Sequence, residues 1–166
     1  MQFTDDSATP DRRPDRLRAF GQRRGEIALI AVFAISILLI HLLASPALRP
    51  VPGRDQGVFL YIGRELNRGA ALYQDLWDHK PPLIHYLNAL GVTLDGGSMW
   101  GIWIIEALFL VGTVALSVIT LRRAFGLGAA AFGTLCWIAA ATTLLSGNLL
   151  EEYALLFQFA ALYFFV

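Results

Sequence analysis

The chain has 166 residues, 56% hydrophobic and 16% charged, with a formal net charge of zero and a mean hydropathy of +0.55. That balance excludes a nucleic-acid binder, which needs a basic surface, and favours several membrane spans over a soluble domain. The single cysteine, Cys136, excludes an intrachain disulfide and reads as a small buried hydrophobe in an apolar helix.

Residues 1–25 are polar, contain Pro10 and Pro14, and carry Arg12, Arg13, Arg16, Arg18, Arg23 and Arg24. They lack the apolar surface to fold alone and read as a disordered basic arm. The first span covers about 27–45. Ile27 to Ala44 is uncharged, long enough at about 1.5 Å per residue to cross most of a roughly 30 Å hydrocarbon core. The arginines before it place the N-terminus in the cytoplasm by the positive-inside rule, and Arg122-Arg123, in the link between the second and third spans, agrees. Ser45-Pro46-Ala47 raises the alternative of a cleaved signal peptide. The length of the apolar run and the spans that follow favour an uncleaved anchor.

The loop 46–97 therefore faces the periplasm or the cell exterior. Pro46, Pro50, Pro52 and Gly53 stop helix continuation, after which Asp55 is placed to cap a helix running to about Asn67. Val58, Phe59, Ile62 and Leu66 share one arc of that helix, with Gln56, Arg64, Asn67 and Arg68 opposite, so the expectation is a helix lying on the membrane interface with its apolar face down. Gly69 ends it. A second loop helix starts at Pro81-Pro82, because proline suits a first turn, and runs through His85 to about Leu94. Asp95-Gly96-Gly97 is a turn, and Trp100 and Trp103 fit the interfacial end of the next span. Further spans are expected at about 98–121, interrupted by Glu106, at 125–145 and at 152–166. The last is too short to cross, from which the chain reads as the front part of a longer protein. The fold class is an all-α, multi-span helical bundle in the plasma (inner) membrane, with an external loop holding interfacial amphipathic helices.

The loop concentrates the reactive side chains. Asp55 serves either as a helix cap or as a general base just outside the bilayer, and the two roles are compatible. Lys80 is the only lysine beside twelve arginines. Fixed by prolines at the first turn of a helix, it suits a phosphate, with Arg54, Arg64 and Arg68 as further positive charge or as a solvated face. Asp75, Asp78, His79 and His85 are metal-donor types without a metal-binding spacing. Glu106, inside a span, is a functional candidate or a partner for a polar residue of another helix. Glu151 and Glu152 either cap the last helix or face the same cavity as Asp55. His41 reads as interfacial.

Arg54-Asp55-Gln56-Gly57 with Tyr61, then Gly69, Leu72-Tyr73-Gln74-Asp75 and Trp77-Asp78-His79-Lys80-Pro81-Pro82-Leu83 resembles the first external loop of the GT-C membrane glycosyltransferases. The likeness is greatest to the family-39 type, the bacterial relatives of protein O-mannosyltransferases and of the lipid A aminoarabinose transferase. Gly147-Asn148 with Glu151-Glu152-Tyr153 is similar to the acidic motif of their second external loop. The resemblance implies transfer of a sugar from a polyprenyl-phosphate donor to a protein, lipid or glycan at the outer face of the membrane. It implies Asp55 as the group activating the acceptor, Glu151 or Glu152 as the second acidic position, and Lys80 beside the donor phosphate with Arg54, Tyr61 and His79 near it. It leaves a divalent metal open, with Asp55, Asp78 and His79 as the residues offered for one, and implies that this piece alone is inactive. Two other readings stand beside it: a transporter or flippase fragment, disfavoured by the absence of charge in the first and third spans, and a non-catalytic membrane scaffold.

Overall fold

The computed structural model describes residues 13–144 and 147–166. The described chain is all-helical: α1 (Arg13–His41) with a short 3-10 turn (Leu42–Ala44), α2 (Arg54–Asn67), α3 (Pro82–Leu94), α4 (Trp100–Phe125), α5 (Leu127–Leu144) and α6 (Leu150–Phe165). Two stretches, Gly21–Ala44 and Trp100–Phe125, are long and apolar enough to cross a membrane, with mean hydropathies of 2.9 and 2.3. Residues 127–141 form a shorter apolar helix.

The basic arm is not wholly unstructured. Helix α1 begins at Arg13, because a helix nucleated in the apolar run extends backwards at little cost through good helix formers such as Arg16, Leu17, Arg18 and Ala19. Residues 1–12 lie outside the described residues.

Helix α4 is the centre, packing against α1, α3, α5 and α6. Phe33 and Ile37 of α1 meet Leu110, Val114 and Val118 of α4 and Ala130, Ile138 and Ala141 of α5 in the largest apolar cluster. A second cluster joins Phe59 of α2, Ile84 of α3, Ile105 of α4 and Tyr153 of α6. Polar side chains stitch α4 to α5, where Ser117 Oγ lies 3.1 Å from Thr134 Oγ1 and accepts from Trp137 Nε1 at 3.2 Å. Cys136, expected in the interior, faces outward from α5. Outward too are Ile27, Val32, Ile35 and Leu39 of α1 and Phe132 and Leu135 of α5.

The amphipathic loop helix behaves differently from the interfacial expectation. The apolar face of α2 is turned into the protein, with Phe59, Leu60, Ile62 and Gly63 buried, against α3 as its main neighbour. An apolar arc records only that a face is covered, and here a second helix covers it. Gly63 makes this possible: a Cβ there would lie 2.8 Å from backbone atoms of Asn88 and Ala89.

The expected turn at Asp95 is present and caps α4. The Asp95 carboxylate accepts from Gly101 N at 2.6 Å and Gly97 N at 3.2 Å, and from the Ser98 hydroxyl. Burial pushes its pKa up, but these hydrogen bonds outweigh that and hold it below the ordinary carboxylate value. At the far end of α4, Gly126 closes the helix, Arg122 pairs with Glu26 of α1, and the Arg123 guanidinium sits 5.3 Å from the centre of the Tyr163 ring.

Candidate functional site

The start of α2 sets the first side of the site. The N-cap is Gly53, not Asp55, and its N–H is satisfied from within the first turn by Gln56 Oε1 at 2.6 Å. The cap shifts because the extended Pro52-Gly53 backbone already has the geometry a cap needs, and a glutamine at the third helical position reaches back to it. Asp55 thereby sits inside the first turn, where the positive end of the helix favours a carboxylate. It is partly exposed, 3.3 Å from Arg54 Nε, while the Arg54 side chain is 94% exposed.

Lys80 is held by the segment before α3. Asp75 Oδ2 accepts from Ala71 N at 2.9 Å, Tyr73 N donates to Leu76 O at 2.7 Å, and Tyr73 takes a left-handed φ of 67°. The Tyr73 hydroxyl then donates to the Lys80 carbonyl at 2.6 Å. Pro81 caps α3 and Pro82 opens it, as expected. Asp78 stands between two histidines, 3.1 Å from His79 Nδ1 and 3.3 Å from His85 Nε2. His85 is fully buried and edge-on to Phe59 at 5.6 Å. Burial lowers its pKa, and the Asp78 charge restores only part of the loss.

The start of α6 gives the opposite side, and here the two glutamates separate. Glu152 is buried and spent on capping, accepting from Leu149 N at 2.9 Å and Gly147 N at 3.2 Å. Glu151, its neighbour, is exposed. A cleft of about 620 Å³ runs between these elements, lined by Asp55, Lys80, Glu151 and Glu152, with Phe59, Trp137 and Leu155 among its apolar walls.

Other sequence candidates lie elsewhere. Arg54 borders a neighbouring groove of about 410 Å³ together with Arg49. Tyr61 is exposed on α2 and does not line the cleft, and His79 turns to Asp78. Arg64 donates to Gly97 O at 2.7 Å, and Arg68 pairs with Glu65 at 2.5 Å. Among the described residues no three His, Cys, Asp or Glu side chains are grouped to hold a metal, so Asp55, Asp78 and His79 do not form one site.

Behind the cleft lies a buried polar cluster whose grouping the sequence did not show. Asn148 N donates to Glu106 Oε1 at 2.8 Å, and the Asn148 side-chain amide exchanges two hydrogen bonds with Asn88, at 2.8 and 3.0 Å. Tyr153 OH adds a donor to Asn148 Oδ1 at 3.2 Å, and Gln56 Nε2 donates to Gly147 O. His41, read as interfacial, is fully buried: it stacks on Trp103 at 4.8 Å, with Nε2 3.8 Å from Glu106 Oε2. Buried polar groups need partners; Glu106, His41, Gln56, Gly147-Asn148 and Tyr153 stood out in the sequence one by one, but Asn88 did not, nor did the fact that they meet.

The chain matches no protein-family model, no curated protein and no solved structure.

Proposed function

We propose that the chain acts in an integral membrane glycosyltransferase of the GT-C kind, moving a sugar from a polyprenyl-phosphate carrier to an acceptor hydroxyl at the outer face of the membrane. In this reading α1, α4 and α5 cross the bilayer, α6 enters it, the N-terminus is cytoplasmic, and the segment 46–97 lies outside. The single observation that supports it most is the shared cleft of Asp55, Lys80 and Glu151, with apolar walls suited to an isoprenoid chain.

The chemistry follows from the charges. The acceptor oxygen attacks the anomeric carbon while Asp55 takes its proton, and the bond from that carbon to the phosphate oxygen breaks. The electron pair leaves on the polyprenyl phosphate, whose charge Lys80 stabilises, so the leaving group needs no acid. Glu151 stands on the far side, free to orient the acceptor. Glu152, engaged with the backbone, is a support.

The test is transfer from a labelled polyprenyl-phosphate sugar, in proteoliposomes, by the whole protein in which this chain acts. Asp55→Asn is expected to lower turnover by roughly 10²- to 10⁴-fold, the ordinary value of a general base, with the protein still folded and inserted. Lys80→Met is expected to weaken donor binding. Normal turnover by Asp55→Asn removes the base from Asp55. Movement of a solute across the vesicle wall without sugar transfer favours the transporter reading instead.

A further inference from the structure

Gly147 and Asn148, at the turn into α6, both take left-handed conformations, with φ of 84° and 55°. Four helices reach this pair. Gly147 N goes to Glu152 of α6, Asn148 N to Glu106 of α4, the Asn148 amide to Asn88 of α3, and Gly147 O to Gln56 of α2. The side chain of Gln56 is two-ended. Its Nε2 reaches Gly147 O, and its Oε1 receives Gly53 N, so Asp55 lies in the short stretch of α2 that this one side chain spans.

We propose that Gln56 is a positioning residue that fixes Asp55 opposite Glu151, a role that rests on the transferase reading above. The packing explains why such a tie matters. Helix α2 packs chiefly on α3, and α6 chiefly on α4, so the two sides of the cleft belong to different packing pairs. Gln56 joins them at their starts, one residue from Asp55 and, through Gly147, four residues before Glu151. Helix ends are where such registration is otherwise weakest, because backbone groups there lack helical partners. A displacement of about 1 Å between reacting groups costs on the order of 100-fold in rate.

Two substitutions separate the ends of this side chain. Gln56→Glu keeps an oxygen for Gly53 N but sets a carboxylate against Gly147 O, cutting the tie. Gln56→Lys keeps a donor for Gly147 O and gives up the cap. In a Cys136→Ala background, spin labels at the exposed positions Val58 of α2 and Leu162 of α6 report the spacing of the two helices by pulsed dipolar spectroscopy. The expected result is a broadened or displaced distance distribution and a turnover reduced roughly 100-fold at unchanged donor KM for Gln56→Glu, against a parental distribution and turnover within about threefold for Gln56→Lys. Equal behaviour of the two variants, or a parental distribution in Gln56→Glu, overturns the proposal. If Gln56→Glu does not accumulate folded, Gln56→Met, which lacks both contacts, replaces it in the comparison with Gln56→Lys. If the whole protein carrying the parental chain transfers no sugar, the transferase reading fails, and the distance distributions alone decide whether the tie exists.

Discussion

Replacing Gly63 by alanine tests whether α2 docks on α3 by backbone contact. The added Cβ would sit 2.8 Å from Ala89 N and Asn88 C and 2.9 Å from Asn88 Cβ, where ordinary contacts begin at 3.4 Å. None of these atoms can rotate away, so the helices must part. Overpacking of this kind costs about 1–3 kcal/mol. Alanine in a helix returns up to about 1 kcal/mol relative to glycine, leaving a net loss of about 0–2 kcal/mol. Gly57, in the same helix, supplies the control, since a Cβ there meets only Pro52 Cγ at 3.9 Å. Gly57→Ala is therefore expected to gain up to about 1 kcal/mol from propensity alone. Chemical denaturation of both variants in one detergent measures the pair. Equal shifts in the two variants would refute the close approach.

Stability should fall with pH because of His85. Its folded pKa lies below the ordinary value of 6.5, so the unfolded chain takes up a proton first as the pH drops; stability is full above that value and declines below it. His85→Gln should flatten this part of the profile, and denaturation midpoints from pH 7.5 to 5 measure it, an unchanged slope counting against the assignment. Asn88→Ala should cost about 2 kcal/mol, because Asn148 Nδ2 is left buried without its acceptor while Asn148 Oδ1 keeps the Tyr153 hydroxyl. A loss under about 0.5 kcal/mol in a denaturation series would show the amide pair to be dispensable.

The elements that stood out in the sequence were those written by strong local rules. The uncharged run around Phe132, the Pro81-Pro82 start of α3 and the Asp95-Gly96-Gly97 turn fall within a few residues of the observed boundaries, whereas the run from Ile27 matches α1 only at its C-terminal end, the helix beginning at Arg13. The three acids of the candidate site, Asp55, Glu151 and Glu152, and its lysine were legible because charges are scarce and Lys80 directly precedes a rare Pro-Pro pair. What could not be read depends on partners far away in the chain. Phe59 and Ile62 give the same periodic arc whether lipid or α3 covers it. Gln56, on the polar side of that arc, looked solvated because its acceptor is 91 positions away. Asn88 is an unremarkable residue in an apolar helix until Asn148 is set against it. The capping role of Asp55 failed for the opposite reason: two local solutions competed, and Gln56 with Gly53 satisfied the helix start first.

The pair Gly147-Asn148 also imposes an order on synthesis. Gln56, Asn88 and Glu106 precede their partners in this turn by 91, 60 and 42 positions. At roughly 5–20 residues per second, the first of these waits on the order of ten seconds for the ribosome to deliver its acceptor. During that interval an acid and two amides belong to helices already made and have none of the bonds that later bury them. The turn into α6 thus does more than link two helices, since its arrival supplies the partners that these earlier polar groups lack.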